Sequence, residues 1–234
     1  MNSSPIEAVM TTQEMLNPQD HSHLRLRPGS EREPHFVQIV AAEFTAAALC
    51  CPIVFTKDAT TGAFYAGALL GLKPEEGALR SLEQRGGFNP LSLQRDGFYI
   101  AGTGIAIDRA SARFSETEGE PLFDSTGQPA VALRNIQRVL GQLQAGIAAT
   151  DEFLRALTQL RLIEPIDVAL TFQGGEQITL RGLYTVSLDA LRGLDDAAAL
   201  RLFRNGYLQL AYLAAASVQQ IAVLAGIRNR HIVA

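Results

Sequence analysis

The 234-residue chain has few residue types that do chemistry, and its two cysteines are the first to consider. Cys50 and Cys51 are neighbours within AAEFTAAALCCPIVFTKD, a run that is almost uncharged between its ends. Apolar surroundings favour the protonated thiol, so nucleophilic or redox chemistry is not expected here. Two adjacent cysteines also define no disulfide framework. We expect two buried, reduced thiols.

Histidines and carboxylates are the usual metal ligands, and two stretches contain them. His21 and His23 form an H-x-H pair, but two imidazoles need further ligands. The acidic stretch SETEGEPLFDSTGQP does not have the spacing of an EF-hand loop, although its carboxylates could converge on a cation: Glu116, Glu118, Glu120 and Asp124. A solvated loop with DSTG as a turn is the simpler interpretation. The sequence therefore predicts no metal site and no cofactor.

Paired carboxylates and an arginine near a tyrosine are the remaining candidates for a site. Glu43 could act with Asp58 or Asp108 in acid–base chemistry, although such residues commonly end strands. The chain contains no G-x-S-x-G, and GTG at 102–104 lacks the third glycine of a nucleotide-binding loop. We predict no catalytic residue and name six candidate ligand-binding residues: Glu43, Asp58, Arg95, Tyr99, Asp108 and Glu120.

The composition is that of an ordinary globular chain. A hydrophobic content of 47% supplies a substantial core, and a net charge of −4 gives no general attraction to nucleic acid. The first 35 residues lack the apolar segment of a secretory signal. We expect a cytoplasmic protein that binds no nucleic acid.

The elements that position these residues change in type along the chain. Residues 1–34 are polar and interrupted by prolines, which predicts an irregular arm. Three apolar stretches predict buried strands, with DATTG as the turn between the last two: HFVQIVAAEF, PIVFTKD and AFYAGALLGL. Residues 98–107 predict another strand that bends at GTG.

Helical spacing follows in the middle of the chain. Apolar residues recur every three or four positions at Leu133, Ile136, Leu140, Leu143 and Ile147. Thr150 is a candidate N-cap, which predicts two consecutive helices, or else one helix kinked near Gly146.

The last third predicts a hairpin followed by helices. Residues 166–172 alternate apolar with other residues, QGGEQ interrupts them, and the pattern resumes at 178–180. Ser187 and Asp195 are candidate helix caps, and Asn205–Gly206 is a stop. Residues 206–226 carry no charge, yet their glutamines weaken the prediction of a membrane span. We expect a helix that is buried or lies at a subunit contact.

Together these elements predict an α+β fold: an N-terminal antiparallel β-rich part, a helical middle, a late β-hairpin and a C-terminal apolar helix. The predicted organisation is an irregular arm at 1–34, a single domain at 35–228 and a tail at 229–234.

Several blocks of the chain, in their order, resemble the SapC family of bacterial proteins. The blocks are VAAEFTAAALCCPIVFTKD, AGALLGLKPEE, EGEPLFDSTGQPAVAL and the stretch from GLYTVSLDAL to SVQQI, which together span roughly residues 20–225. In the first block, Glu43-Phe44, Ala46 to Ala48 and Pro52 to Phe55 match the acidic-aromatic pair, the alanine-rich step and the P-I-V-F strand. The family's aromatic and arginine-rich middle is replaced by SLQRDGFYI.

The resemblance implies a soluble SapC-like protein, distinct from the multispan transporter permease of the same name, and often encoded near flavin-dependent halogenase-like enzymes. We expect a non-catalytic binding or accessory protein that engages another protein or peptide and acts with a neighbouring halogenase-like or oxygenase enzyme. The alternatives are an enzyme that modifies a peptide or aromatic substrate, and a surface-layer component. A homo-oligomer through the C-terminal helix is a further expectation.

Overall fold

The computed structural model describes residues 13–29, 34–74, 76 and 86–233. A short 3₁₀ helix lies at Ala41–Glu43. The other elements, in chain order, are β1 Gln13–Met15, α1 Pro18–His21, β2 Arg25–Leu26, β3 Phe36–Gln38, α2 Phe44–Ala48, β4 Ile53–Lys57, β5 Phe64–Leu69, α3 Leu91–Gln94, β6 Phe98–Ala101, β7 Gly104–Asp108, β8 Phe114–Ser115, β9 Glu120–Pro121, α4 Val131–Gln159, β10 Ile163–Thr171, β11 Gln177–Val186, α5 Leu188–Arg192, α6 Asp196–Arg204, α7 Tyr207–Ser217 and α8 Gln220–Val233.

The chain forms two compact units. The first unit contains Met1–Arg32 and Leu91–Gln144, and the second contains Glu33–Pro90 and Ala145–Ala234. Helices and antiparallel sheets occur together, which confirms the predicted α+β class. The predicted boundaries at 34 and 228 stay a prediction, but residues 13–29 are more regular than the expected arm because β1 and β2 find partners far along the chain.

The first unit is built from two small antiparallel sheets. Their strand orders are β1-β7-β6 and β8-β2-β9. Residues 98–108 form a hairpin of two strands, β6 and β7, rather than the single bent strand that the sequence predicts, because the chain reverses at 102–103, where Gly102 has a φ of 57°. Buried apolar side chains from these strands and from the first half of α4 form its core: Leu24, Leu26, Phe98, Ile107, Leu122, Phe123, Ala132, Leu133, Ile136 and Leu140.

The second unit is built on a five-stranded antiparallel sheet of order β10-β11-β4-β5-β3. The predicted hairpins at 53–69 and 163–186 are both present. Phe153, in the second half of α4, makes edge-to-face contacts with three other rings, with centroids 5.5–6.2 Å apart: Phe44, Phe55 and Tyr207. These contacts join helices α2, α4 and α7 to strand β4.

The run around the cysteines is half helix rather than all strand. Strand β3 ends at Gln38, and the chain then turns through the 3₁₀ helix into α2 before β4 begins at Ile53. The prediction that HFVQIVAAEF forms one strand is therefore wrong beyond residue 38, because alanine favours helix. Cys50 and Cys51 are 4% and 1% exposed and are free thiols, as expected.

Helix α4 is continuous through Thr150, so the predicted N-cap there is wrong. The Thr150 hydroxyl donates to Gly146 O at 2.6 Å, one turn earlier in the same helix, and accepts from Ala41 N at 2.8 Å. A side chain that bonds back to its own helix does not need to end it. Gly146 is needed for a different reason: a Cβ there would lie 2.6 Å from Val40 Cγ2.

The predicted caps of the late helices are confirmed. Ser187 Oγ accepts from Ala190 N, and Asp195 Oδ1 accepts from Ala198 N at 2.7 Å. Asn205 ends α6, and Gly206 follows with a φ of 73°. The uncharged stretch after it is two helices rather than one, because residues 218–219 form a turn between α7 and α8.

Candidate functional site

Two of the six predicted site residues, Glu43 and Asp58, lie in the second unit. Glu43 is 8% exposed, and its Oε2 accepts a hydrogen bond from Val40 N at 2.9 Å, which caps the 3₁₀ helix. Asp58 Oδ1 accepts from Thr60 N, Thr61 N and the Thr61 hydroxyl at 2.7–3.0 Å in the turn after β4. The bond from Thr61 N and then that from its hydroxyl hold the pKa of Asp58 below its ordinary value.

The other four lie in the first unit, and the structure brings two of them together. The guanidinium carbon of Arg95 is 5.1 Å from the ring centroid of Tyr99, and Arg95 Nη1 donates to Phe98 O at 3.0 Å. Asp108 ends β7, where its Oδ1 accepts from Ala110 N at 3.1 Å. Glu120 is exposed on β9. All six are used in local structure or face solvent, and their role in ligand binding stays a prediction.

Carboxylates lie beside two of the histidines. His21 Nε2 lies 3.0 Å from Glu14 Oε1, and His23 Nε2 lies 3.6 Å from Glu116 Oε1. Arg109 Nε reaches Glu14 Oε1 at 3.4 Å. Within the described residues, no group of three or more histidine, cysteine or acidic side chains could hold a metal ion.

An open groove of about 580 Å³ lies beside Lys57 in the second unit. Lys57 Nζ is 5.1 Å from the ring centroids of both Phe64 and Tyr184. The groove is bounded by the β4–β5 turn and by α4: Gly62, Ala63, Phe64, Asp151, Leu154, Arg155, Thr158 and Gln159. Its charged side chains are exposed, so water would weaken their attraction for a small ligand.

The C-terminal helices present a larger and chemically simpler surface. Helix α7 is fixed on its inner side by Ser217, whose hydroxyl accepts from Ile53 N at 2.8 Å and donates to Ala214 O at 2.7 Å. Ala211 and Ala214 are fully buried on the same side of α7. These contacts hold α7 against the start of β4.

Helix α8 is fixed by its inner side as well. Ile221 and Leu224 belong to the apolar core that also includes Val54, Leu69 and Phe172. Near the end of the helix, Asn229 Oδ1 accepts from Gln173 N at 3.1 Å, in the turn of the β10–β11 hairpin.

Arg228 adds a charged anchor to α8. Its Nε lies 2.8 Å from Glu76 Oε1, its Nη1 lies 2.8 Å from Glu176 Oε2, and its side chain is 9% exposed. Its guanidinium carbon is 4.5 Å from the ring centroid of Phe172. Burial lowers the pKa of Arg228, but the bonds to the two glutamates outweigh this and leave it raised. The bond from Lys73, and then that from Arg228, lower the pKa of Glu176.

The outer side of the same helices is exposed and carries no charge before Arg230. Exposed residues recur every three or four positions along α7, through the turn at 218–219 and into α8: Gln209, Tyr212, Ala216, Gln219 and Val223. Within α7 this spacing places Gln209, Tyr212 and Ala216 on one side of the helix. We call this stripe, together with the exposed Leu49 and Phe203, the C-terminal face. Leu49 adjoins the stripe because its carbonyl oxygen accepts from Gln220 Nε2 at 3.4 Å. The exposed fractions are 79% for Leu49, 69% for Phe203 and 53% for Tyr212.

The charged side chains of the last 38 residues, apart from histidine, are all of one sign. Residues 197–234 contain four arginines and no aspartate or glutamate, although the whole chain has a net charge of −4. Arg228 is paired with the two glutamates. The side chains of Arg201, Arg204 and Arg230 make no ion pair or hydrogen bond with any residue that the structure describes.

One helical stretch among the described residues, Tyr207–Arg230, has the length and composition to cross a membrane. Only 28% of its most apolar window is buried. A single stretch of this kind is a weak indication of a span, because core helices of water-soluble proteins have the same properties.

The sequence identified the uncharged stretch at 206–226 but did not predict the C-terminal face. The absence of charge at 206–226 predicted burial or a contact, and it could not separate an inner from an outer side, because alanine and leucine occur on both. The strongest available signal was the lack of acidic residues after Asp196.

Comparison with known proteins gives one match. No curated protein and no solved structure matches the chain significantly. The SapC family profile matches residues 16–224, which include most of both units and all of the C-terminal face. The chain therefore belongs to the SapC family.

Proposed function

We propose that this SapC protein is a non-catalytic binding or accessory protein that engages another protein or peptide through the C-terminal face. The observation that carries the proposal is the exposure of the large apolar side chains of Leu49, Phe203, Tyr212 and Val223, two of them on the uncharged stretch at 206–226, whose helices are fixed on their inner sides. Contiguous exposed apolar surface of this kind marks interaction sites.

The contacts that fix α7 and α8 support a binding role, because the surface is already formed before a partner binds. Ser217 and Arg228 fix α7 and α8 from their inner sides, so a partner meets helices that are already in place. A preformed surface loses less conformational entropy on binding than a mobile one.

The composition of the face favours protein contact. Tyr212 and Phe203 are aromatic, and aromatic side chains contribute strongly to protein interfaces. The glutamines on the stripe can exchange hydrogen bonds with a partner's backbone. The flavin-dependent halogenase-like or oxygenase enzymes implied by the family resemblance are the first candidates for that partner, and we place the complex in the cytoplasm.

Photo-crosslinking in cells tests the proposal. A photoreactive phenylalanine analogue replaces Tyr212 in one variant and Val223 in another. The matched control carries it at Val131, an aliphatic residue at the start of α4 that is 58% exposed. We expect discrete adducts with one protein at both test positions and none of the same mass at Val131.

Two results would contradict the proposal. The first is the absence of adducts at both test positions when the variants are folded and expressed. The second is the same set of adducts at Val131, which would indicate random collision rather than a specific face.

A further inference from the structure

We infer that the partner segment that covers the C-terminal face is an acidic amphipathic helix. This inference rests on the proposed function and specifies the chemistry of the partner. It follows from three properties of the face: the sign of the charge beside it, the spacing of its exposed residues, and the small size of several of them.

The arginines that flank the C-terminal face in the sequence favour a partner segment that carries carboxylates. Arg201 and Arg204 precede α7 and Arg230 lies in the last turns of α8, so in the sequence arginines flank the uncharged stripe on both sides. All three are exposed and unpaired within the described chain. Carboxylates pair with guanidinium groups in a favourable bidentate geometry, which gives an acidic segment both orientation and faster association.

The spacing and size of the exposed residues suit a helix. The stripe at 209, 212, 216, 219 and 223 follows intervals of three and four, which is the pattern that a second helix packs against. Ala216 and Ala222 are exposed and small, so the backbone of an incoming helix can approach closely. Tyr212 and Val223 then provide apolar contacts on which the partner's own apolar stripe can pack.

A second copy of this chain fits the face less well. The C-terminal helices carry arginine at both ends, so two copies would place arginines beside arginines in either a parallel or an antiparallel arrangement. Like charges that face each other at an interface are unfavourable. No acidic residue after Asp196 is present to offset this repulsion.

An anionic membrane also fits less well. The stripe alternates apolar side chains with Gln209 and Gln219, and amides placed in hydrocarbon without partners are costly. Three unpaired arginines are also fewer than the four to eight basic residues typical of segments that bind anionic lipid. A protein helix can satisfy both the amides and the arginines.

The test uses two synthetic peptides and the full-length protein. Both peptides have the same apolar stripe over about three heptads; one has glutamate on its flanks and the other has lysine. Fluorescence anisotropy measures their binding to the wild type and to two variants. The first variant is Arg201→Glu with Arg204→Glu. The second is Arg155→Glu with Arg181→Glu, which changes the net charge equally at exposed positions outside the face.

We expect the glutamate peptide to bind the wild type and the lysine peptide to bind at least tenfold more weakly. We expect Arg201→Glu/Arg204→Glu to weaken binding of the glutamate peptide by roughly tenfold or more, and the control pair to weaken it less than twofold. Binding should also weaken as salt rises from about 0.05 M to about 0.5 M, because exposed charges are screened.

Four outcomes would overturn the inference. Equal binding of the two peptides, or no binding of the glutamate peptide, would contradict the inference that the partner segment is acidic. Concentration-dependent dimerisation that Tyr212→Asp abolishes would assign the face to a second copy. Binding to phosphatidylserine vesicles that the same substitution abolishes would assign it to a membrane. Crosslinks from positions 212 and 223 to a non-acidic protein segment would leave the proposed function standing while the charge inference fails.

Discussion

The arginines of the first unit and those in the last 38 residues of the second unit differ in how many of them have partners. Every described arginine of the first unit donates to a neighbour, either a carboxylate, a side-chain amide or a backbone carbonyl: Arg25, Arg27, Arg95, Arg109, Arg113, Arg134 and Arg138. In the last 38 residues of the second unit, Arg228 alone among the described arginines is paired. The paired arginines support the fold, whereas the unpaired arginines are available to bind a partner.

Arg113 shows how a paired, buried arginine supports the fold of the first unit. Arg113 is 7% exposed, and its Nη1 donates to Gln94 O at 2.7 Å and to Asp96 O at 2.9 Å. Burial lowers the pKa of Arg113, and Asp96 partly offsets this. Its cation therefore holds a loop of the same unit together and is inaccessible to a ligand. The side chains of Arg201 and Arg204, in contrast, have no ion pair or hydrogen bond with any described residue.

The largest effect we predict comes from removing the one paired arginine of the C-terminal helices. Arg228→Met should lower the free energy of unfolding by about 2 kcal/mol, because Glu76 and Glu176 then lose their common partner and Glu76 is only 18% exposed. Arg230→Met, two residues away and exposed, is the matched control and should change stability by less than about 0.5 kcal/mol. Urea denaturation of both variants measures the difference; equal losses would show that the two arginines do not differ as described.

The pH dependence of stability gives a smaller effect from the same cluster. The pKa of Glu176 is lowered from its ordinary value of 4.5, so the ionised form is favoured in the folded state. Its contribution is therefore present above pH 4.5 and is lost as the pH falls through the folded-state pKa. We expect the stability difference between wild type and Glu176→Gln to narrow below pH 4.5. A difference that stays constant with pH would contradict this assignment.

The smallest effect should come from a half-exposed carboxylate of the first unit. Glu14 is 48% exposed and lies within 3.4 Å of both His21 and Arg109. Glu14→Gln should cost less than about 1 kcal/mol, and added salt should reduce the cost, because exposed ion pairs are screened. Thermal melts at low and high salt measure it. A loss of unfolding free energy larger than that of Arg228→Met would contradict the predicted order of the two effects.

The sequence predicted those parts of the fold whose cause is local. The two long hairpins, the caps at Ser187 and Asp195 and the stop at Asn205–Gly206 are all present, because turn and cap residues act on their immediate neighbours. The same reasoning failed at Thr150, which is a good cap by type. Its hydroxyl bonds instead within the helix and to Ala41, a partner more than a hundred residues away.

The candidate site was the least predictable part. Six polar residues were named by type, and the structure brings only Arg95 and Tyr99 into direct contact through printed ring and cation geometry. The C-terminal face consists of residue types that usually lie in a core, so its exposure could not be read from hydropathy.

By itself the sequence determined the α+β class, the family and the one-sided charge of the last 38 residues, since these depend on composition and on the order of residues. The tertiary structure alone decided which side of α7 and α8 is buried and which arginines are paired. Those outcomes depend on partners distant in the chain, such as Ile53 for Ser217 and Glu76 for Arg228, whose proximity exists only in the folded unit.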